Sequence, residues 1–163
     1  VARGDADFGL TYIGANDADI EFKPLLEEPF VAAVSRQHPF AAKESVTWAD
    51  LDAYPYISLA QGSGNRFLID QALAHSGVRP RHFCEVQHVP ALVSMVEAGL
   101  GVGVVPRLAM PAGEHADLAS VPLREPAITR TIGLIHCRGK EINPVAKLFY
   151  DLLAARVGAR QDA

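Results

Sequence analysis

Hydrophobic residues along the chain form short continuous runs that are separated by stretches in which apolar positions recur at helical spacing. A short apolar run bounded by turn residues predicts a strand, and a run without polar alternation predicts a strand covered on both faces. Since strands and helices alternate along the chain, we expect an α/β fold with a mostly parallel sheet. The predicted strands are residues 7–12, 28–34, 56–59, 82–86, 101–105, 118–121 and 128–136.

Four segments predict helices. Residues 47–50, Thr-Trp-Ala-Asp, have the form of a capping box, and Val46 and Leu51 stand where a hydrophobic staple would place them. A second helix should follow the turn at residues 61–65 and end at Gly77. The other two should begin at Pro90 and at Asn143-Pro144, because proline favours the first helical turn.

Composition and charge limit the possible functions. The chain has 163 residues, 49% of them hydrophobic, and 15 basic against 19 acidic side chains give a formal net charge of −4. A chain of this length can bury a core without a disulfide or a metal. Binding to a phosphate backbone requires a concentrated excess of Lys and Arg. These residues are therefore not a DNA-binding surface.

Membrane and redox signals are weak. No apolar stretch comes near the roughly 20 residues that a membrane helix needs, and the chain starts without a signal-peptide pattern. Cys84 and Cys137 are far apart and form no C-x-x-C motif, which suits a reducing compartment. We expect a cytoplasmic protein with no membrane contact.

Two glycine motifs resemble catalytic or cofactor signatures but fail on spacing. Residues 99–103 are Gly-Leu-Gly-Val-Gly, but Val104 stands where the dinucleotide fingerprint G-x-G-x-x-G needs its last glycine. The segment also lies between a helix and the strand after it, whereas a dinucleotide-binding turn lies between a strand and the helix after it. Helix capping and close helix-to-strand packing explain them better. Gly62-Ser63-Gly64 is not a nucleophile elbow, because Gln61 and Asn65 stand where that motif needs glycines. We predict no cofactor and no catalytic residue.

His82, Cys84 and His88 are the best metal candidates. Residues two apart in a strand share a face, and imidazole with thiolate suits zinc. However, His88 falls in the loop after the strand and no fourth ligand is evident. We therefore predict no metal site, and we interpret these residues as a buried cysteine flanked by exposed histidines.

The loop Ser63-Gly64-Asn65 is the most informative local feature. It lies between the carboxyl end of a predicted strand and the amino end of a helix, where free backbone N–H groups and the helix dipole favour an anion. The hydroxyl of Ser63 and the amide of Asn65 add side-chain donors. The turn His88-Val89-Pro90 starts a second helix on the same side of the sheet if the crossovers have their usual hand. The alternative is that Ser or Asn only caps the helix.

Several motifs in the same order and at similar spacing resemble the effector-binding region of LysR-type transcriptional regulators. The resemblance covers nearly the whole chain. It rests on Gly4-Asp5-Ala6-Asp7-Phe8-Gly9-Leu10, His38-Pro39-Phe40, Trp48-Ala49-Asp50-Leu51, Gly62-Ser63-Gly64-Asn65-Arg66, residues 93–106 and residues 144–153.

The resemblance implies a two-lobed, type II periplasmic-binding-protein-like fold with a small effector in the cleft between the lobes. Residues 1–28 and 131–163 would form the first lobe and residues 29–130 the second, with crossovers near residues 27–29 and at Thr129-Arg130. The family's first lobe begins with further strands and helices, preceded by a winged helix-turn-helix. We therefore expect a complete second lobe and an incomplete first lobe in this chain.

The resemblance also implies partners and contacts. Thr11 and Tyr12 join Ser63, Gly64 and Asn65 as expected effector contacts, and His88-Val89-Pro90 is a weaker candidate. The partner would be a small, anionic effector. DNA would be bound only through the winged helix-turn-helix absent from this chain, in a homodimer or homotetramer.

Two other functions stay open at this stage. A solute-binding receptor of a transporter shares the implied fold but needs an export signal. An enzyme acting on a small carboxylate needs a titratable group in the site, and Tyr12 and His88 are the only candidates.

Overall fold

The computed structural model describes residues 1–2, 4–12, 18–74, 76–111 and 117–158. They form two compact units, the first made of Val1–Glu28 with Arg130–Ala163 and the second of Pro29–Thr129. The strands are β1 (Phe8–Thr11), β2 (Ile20–Ser35), β3 (Val46–Thr47), β4 (Tyr56–Leu59), β5 (His82–Val86), β6 (Val102–Pro106), β7 (Leu118–Arg124) and β8 (Thr129–Cys137). The helices are α1 (Trp48–Leu51), α2 (Gly64–Leu73), α3 (Val89–Glu97) and α4 (Pro144–Gly158), with short 3-10 turns at Pro39–Ala42 and Arg107–Ala109.

The sheet of the second unit is covered on both faces. Side chains of a strand point alternately to opposite faces, and those of β2 contribute to two separate cores. Phe30, Ala32 and Val34 pack with Ile69 and Leu73 of α2. Val31 and Ala33 pack instead with residues of α3 such as Leu92 and Val96. This arrangement confirms that the continuous apolar runs are strands buried on both sides.

The directions of the strands correct one expectation. Strand β4 pairs in parallel with β5 and β6, as the alternation of strands and helices predicts. Strand β2, however, runs antiparallel to β6 and β7, and β1 runs antiparallel to β8. Strand β3 also pairs in parallel, with β7. The prediction of a mostly parallel sheet is therefore wrong for β1, β8 and the pairs that β2 makes with β6 and β7, because no crossover helix joins these strands.

Local signals place the helix starts well and the helix ends less well. The capping box is confirmed, since the Asp50 N–H donates to Thr47 Oγ1 at 3.3 Å and the Thr47 N–H donates to Asp50 Oδ2 at 2.8 Å. The backbone hydrogen bond from Thr47 is the main cause of a lowered pKa at Asp50. Helix α2 ends at Leu73, before the predicted Gly77, and β2 begins at Ile20, eight residues before the predicted start.

The glycines after α3 have the packing role that their spacing indicates. Gly99 has φ of +75° and its N–H donates to the carbonyl of Val96, which closes the helix. Gly103 lies in β6 against α3, where a Cβ atom would collide with the side chain of Leu92. Both positions confirm the interpretation that these glycines serve helix capping and close helix-to-strand packing.

The first unit contains β1, β8, the beginning of β2, and α4. Strand β1 pairs with β8 from Phe8 opposite His136 to Thr11 opposite Gly133. Leu25, Leu134 and Tyr150 form its core. The apolar residues of α4 are not all covered. Tyr150 is buried, but four others are more than half exposed: Val145, Leu148, Phe149 and Leu152. No helix in the described part of the chain is long and apolar enough to cross a membrane.

Candidate functional site

The starts of α2 and α3 lie beyond one edge of the parallel strand pair β4 and β5. Leu59, at the end of β4, is paired with Val86 at the end of β5. The ladder continues by one bond, in which the Ala60 N–H donates to the carbonyl of Val86 at 2.8 Å. Ser63 is the N-cap of α2 and His88 is the N-cap of α3. The structure thus places the two predicted loops of the second unit at the same edge.

Ser63 has the backbone of an N-cap but not its side-chain bond. Its φ and ψ of −69° and 129° are extended, and its carbonyl accepts from the Phe67 N–H at 3.0 Å. The Ser63 side chain makes no capping hydrogen bond, so Ser63 is the N-cap of α2 by its backbone alone. Gly62 supplies the turn with a φ of +90°, Gly64 is the first helical residue, and Asn65 is buried.

The start of α3 repeats this arrangement. His88 is exposed and extended, with φ of −124° and ψ of 138°, and its side chain makes no capping hydrogen bond. Its carbonyl accepts from the Leu92 N–H at 3.2 Å. Val89 and Pro90 are the first two residues of the helix. Two helix N-termini without a side-chain cap therefore stand at the same edge of the sheet, which is a favourable environment for an anion.

Arg66 connects the start of α2 to the strands beneath it, a role that no local sequence pattern indicates. Its Nη1 donates to Ser58 Oγ at 2.7 Å, to the Leu59 carbonyl at 2.9 Å and to Glu85 Oε1 at 3.0 Å. Its Nε donates to Asp70 at 2.8 Å. Burial lowers the pKa of the guanidinium, but the hydrogen bonds and charges of Asp70 and Glu85 outweigh it, and the net pKa is raised. Arg66 thus stays charged and holds α2 in place.

The other predicted contacts, Thr11 and Tyr12, belong to the first unit. Thr11 ends β1, and Tyr12 follows it. The guanidinium carbon of Arg130 lies 4.2 Å from the centre of the Tyr12 ring, within the range of a cation–π contact. Arg130 is itself paired with Glu28. Glu28 and Arg130 are predicted above only as crossover positions, because 102 residues separate them in the chain and no local pattern indicates their pairing.

The metal candidates are not assembled into a site. Nε2 of His82 lies 3.3 Å from Glu85 Oε1, and Cys84 packs against the apolar cluster around Leu92. His88 lies apart from them at the start of α3. Among the described residues, no group of three or more His, Cys, Asp or Glu side chains is arranged to hold a metal ion.

Comparison with known proteins places this geometry in a family. Residues 1–158 match the family model described as the LysR substrate binding domain. The HTH-type transcriptional regulator YbhD of Escherichia coli is 40% identical over 153 residues, which are 94% of this chain and 48% of that protein. The chain spans about half the length of the curated relatives it matches.

Two solved structures share the fold. The effector-binding domain of QuiR in complex with shikimate is 30% identical, with a TM-score of 0.76 over 94% of this chain and 72% of that one. The regulatory domain of CcmR from Synechocystis PCC6803, in complex with 2-PG, is 22% identical, with a TM-score of 0.82 over 96% of this chain and 76% of that one. The fold is thus that of LysR effector-binding domains, which is periplasmic-binding-protein-like of type II. The chain belongs to the LysR substrate-binding domain family.

Proposed function

We propose that this chain is the sensing domain of a LysR-type regulator and that a small anionic effector binds at the starts of α2 and α3. Ser63, Gly64 and Asn65 would contact it from α2, and His88, Val89 and Pro90 from α3. Thr11 and Tyr12 would be further contacts from the first unit. The family membership supports the sensing role. The 30% identical effector-binding domain of QuiR holds shikimate, which is a small carboxylate.

The absence of a side-chain cap at both helix starts is the observation that carries the proposal. The first N–H groups of a helix have no partner within the helix, and the dipole adds about half a positive charge there. At α2 and α3, neither N-cap side chain satisfies these groups. Carboxylate oxygens are suitable acceptors for them, and two helix starts at one edge can share one anion.

The charged side chains near α2 favour recognition by main-chain amides and hydroxyls. Arg66 is committed to Asp70 and Glu85, so its charge is already balanced. A bound carboxylate would therefore depend on the N–H groups of the helix starts and on the Ser63 hydroxyl. Such N–H and O–H donors would bind a carboxylate through charge-assisted hydrogen bonds.

We also propose that the domain binds its effector without transforming it. The relatives are transcriptional regulators, which supports this view. Among the candidate titratable groups, the Tyr12 ring is packed against Arg130, and His88 lies exposed at a helix start. Incubation with shikimate followed by chromatography tests the point, since conversion of the acid would indicate an enzyme.

In the whole protein, we propose that DNA is bound by a winged helix-turn-helix outside these residues, in a cytoplasmic homodimer or homotetramer. The formal net charge of −4 supports this proposal, because binding to DNA phosphates requires an excess of basic residues that this chain does not have. An effector that binds one conformation more tightly shifts the population toward it and changes how the DNA-binding domains are presented.

Calorimetric titration of the chain with shikimate and a panel of small hydroxy acids tests the site. We expect Ser63→Ala to weaken the best acid by about tenfold, since a hydrogen bond to a charged group is lost. Ser94→Ala, an exposed serine in the same helix as His88, is the matched control and should leave the affinity unchanged. Equal affinity of the Ser63→Ala variant and the unmodified chain would refute the assignment.

A further inference from the structure

A cavity of about 410 Å³ lies in the second unit, between α2, the segment that follows it and the strands β4 and β5. Neither the residues at the start of α2 from Ser63 to Asn65 nor His88 line it. Its volume is within the usual range of small-molecule sites. We call it the α2 cavity, and it is distinct from the site of the proposed function.

The α2 cavity combines an apolar wall with a buried polar floor. Ile69 and Leu73 of α2 and Val78 and Pro80 of the following segment give the wall. Tyr56 and Ser58 of β4 line the floor and are 3% and 2% exposed. Burial raises the pKa of Tyr56 to about 12, so its phenol stays protonated. An apolar lining with a few buried polar groups is typical of ligand pockets.

The charged side chains around the α2 cavity differ in whether they have an ion-pair partner. Arg66 is paired with Asp70 at 2.8 Å and with Glu85 at 3.0 Å, and Glu85 also lies 3.3 Å from His82. Arg79 lines the same cavity, and no described residue forms an ion pair or a side-chain hydrogen bond with it. Among the described residues of the cavity lining, Arg79 is therefore the guanidinium that has no ion-pair partner.

We propose that the α2 cavity is a second ligand site, which binds a small amphipathic monoanion through Arg79. The ligand has one carboxylate and an apolar body about the size of one ring. Its carboxylate pairs with the Arg79 guanidinium, and its body packs against Ile69, Leu73 and Val78. A guanidinium binds a carboxylate through two parallel N–H bonds, which gives the site its orientation.

NMR titration of the chain with benzoate and with neutral benzyl alcohol tests the proposal, because the two probes share a ring and differ in charge. We expect the amide shifts to concentrate in residues 69–82. Arg79→Gln should weaken benzoate by about tenfold and leave benzyl alcohol unchanged. Arg81→Gln is the matched control, since Arg81 lies two residues away and does not line the cavity.

A second variant tests the contribution of the cavity independently of the Arg79 charge. Ala74 is an exposed residue of the lining, and Ala74→Trp should fill the cavity and weaken both probes. Thermal unfolding of each variant checks that the fold is retained. The proposal is overturned if Arg79→Gln binds benzoate like the unmodified chain, or if the shifts concentrate at Gly62–Asn65 and His88–Pro90. The second result would instead support the proposed effector site.

Discussion

Arg130 and Glu28 form an ion pair that joins β8 to β2, with Nη2 of the guanidinium 2.6 Å from Oε2 of the carboxylate. The Arg130 Nε donates to the same oxygen at 2.7 Å. Glu28 is only 1% exposed, so its charge is removed from water. A buried carboxylate requires a partner of opposite charge, because desolvation costs several kcal/mol per ion. Arg130 supplies that charge and also supports the Tyr12 ring.

Arg130→Met should destabilise the chain by about 3–5 kcal/mol, because it leaves the buried Glu28 carboxylate without its guanidinium. Urea unfolding at neutral pH measures this difference. Lys147→Met is the matched control, since it breaks an ion pair with Asp151 in which both side chains are about half exposed. The control should cost less than about 0.5 kcal/mol. Similar losses in the two variants would contradict the buried-pair account.

Thr47→Ala and Ser63→Ala should differ in stability although both remove the hydroxyl of a helix N-cap. Thr47 completes a capping box, so its loss should lower the free energy of unfolding by about 1 kcal/mol. Ser63 makes no capping bond, and its loss should cost only a few tenths of that amount. Chemical denaturation of both variants measures the difference. Equal costs would mean that the Ser63 hydroxyl caps α2 in solution.

Features within a few residues of each other could be predicted from the sequence. The capping box joins residues three apart, and the glycine after α3 closes a turn with Val96, so the local pattern contains the whole interaction. The starts of α2 and α3 were predicted for the same reason. The end of α2 was not, because Gly77 is a strong helix stop but the chain leaves the helix earlier, after Leu73.

Long-range pairs could not be predicted in this way. The Trp48 Nε1–H donates to the carbonyl of Pro126, 78 residues away, and the Glu28–Arg130 pair spans 102 residues. The bonds of Arg66 to Ser58 and Glu85 depend on how β4 and β5 align, which no single segment encodes. The helix starts that carry the candidate site were therefore predictable, and the charged side chains around them were not.

His38 should make stability depend on pH. Its Nδ1 accepts from the Phe40 N–H at 3.1 Å, its ring packs against Phe40 and Tyr54, and its Nε2 is buried with no hydrogen-bond partner among the described residues. Burial lowers the pKa of His38 below 6.5. As the pH falls through 6.5, the unfolded chain takes up the proton first, so the free energy of unfolding should decrease.

The variant His38→Asn isolates this contribution, because an asparagine oxygen can still accept from Phe40 but does not titrate. We expect the free energy of unfolding to depend less steeply on pH between 7 and 5 in the variant. Urea unfolding at several pH values measures both slopes. An unchanged slope would show that His38 is protonated equally in the folded and unfolded chains.

Gly103→Ala should destabilise the second unit by about 1–3 kcal/mol, because the added methyl group would collide with the fully buried Leu92 of α3. Thermal and urea unfolding measure the loss. The collision also predicts that the stability effects of substitutions at Gly103 and Leu92 are not additive. Leu92→Val shortens the opposing side chain, so the double variant should lose less stability than the two single variants together. Additive losses would mean that β6 moves away from α3 to accommodate the methyl group, and that close packing at Gly103 does not set the helix position.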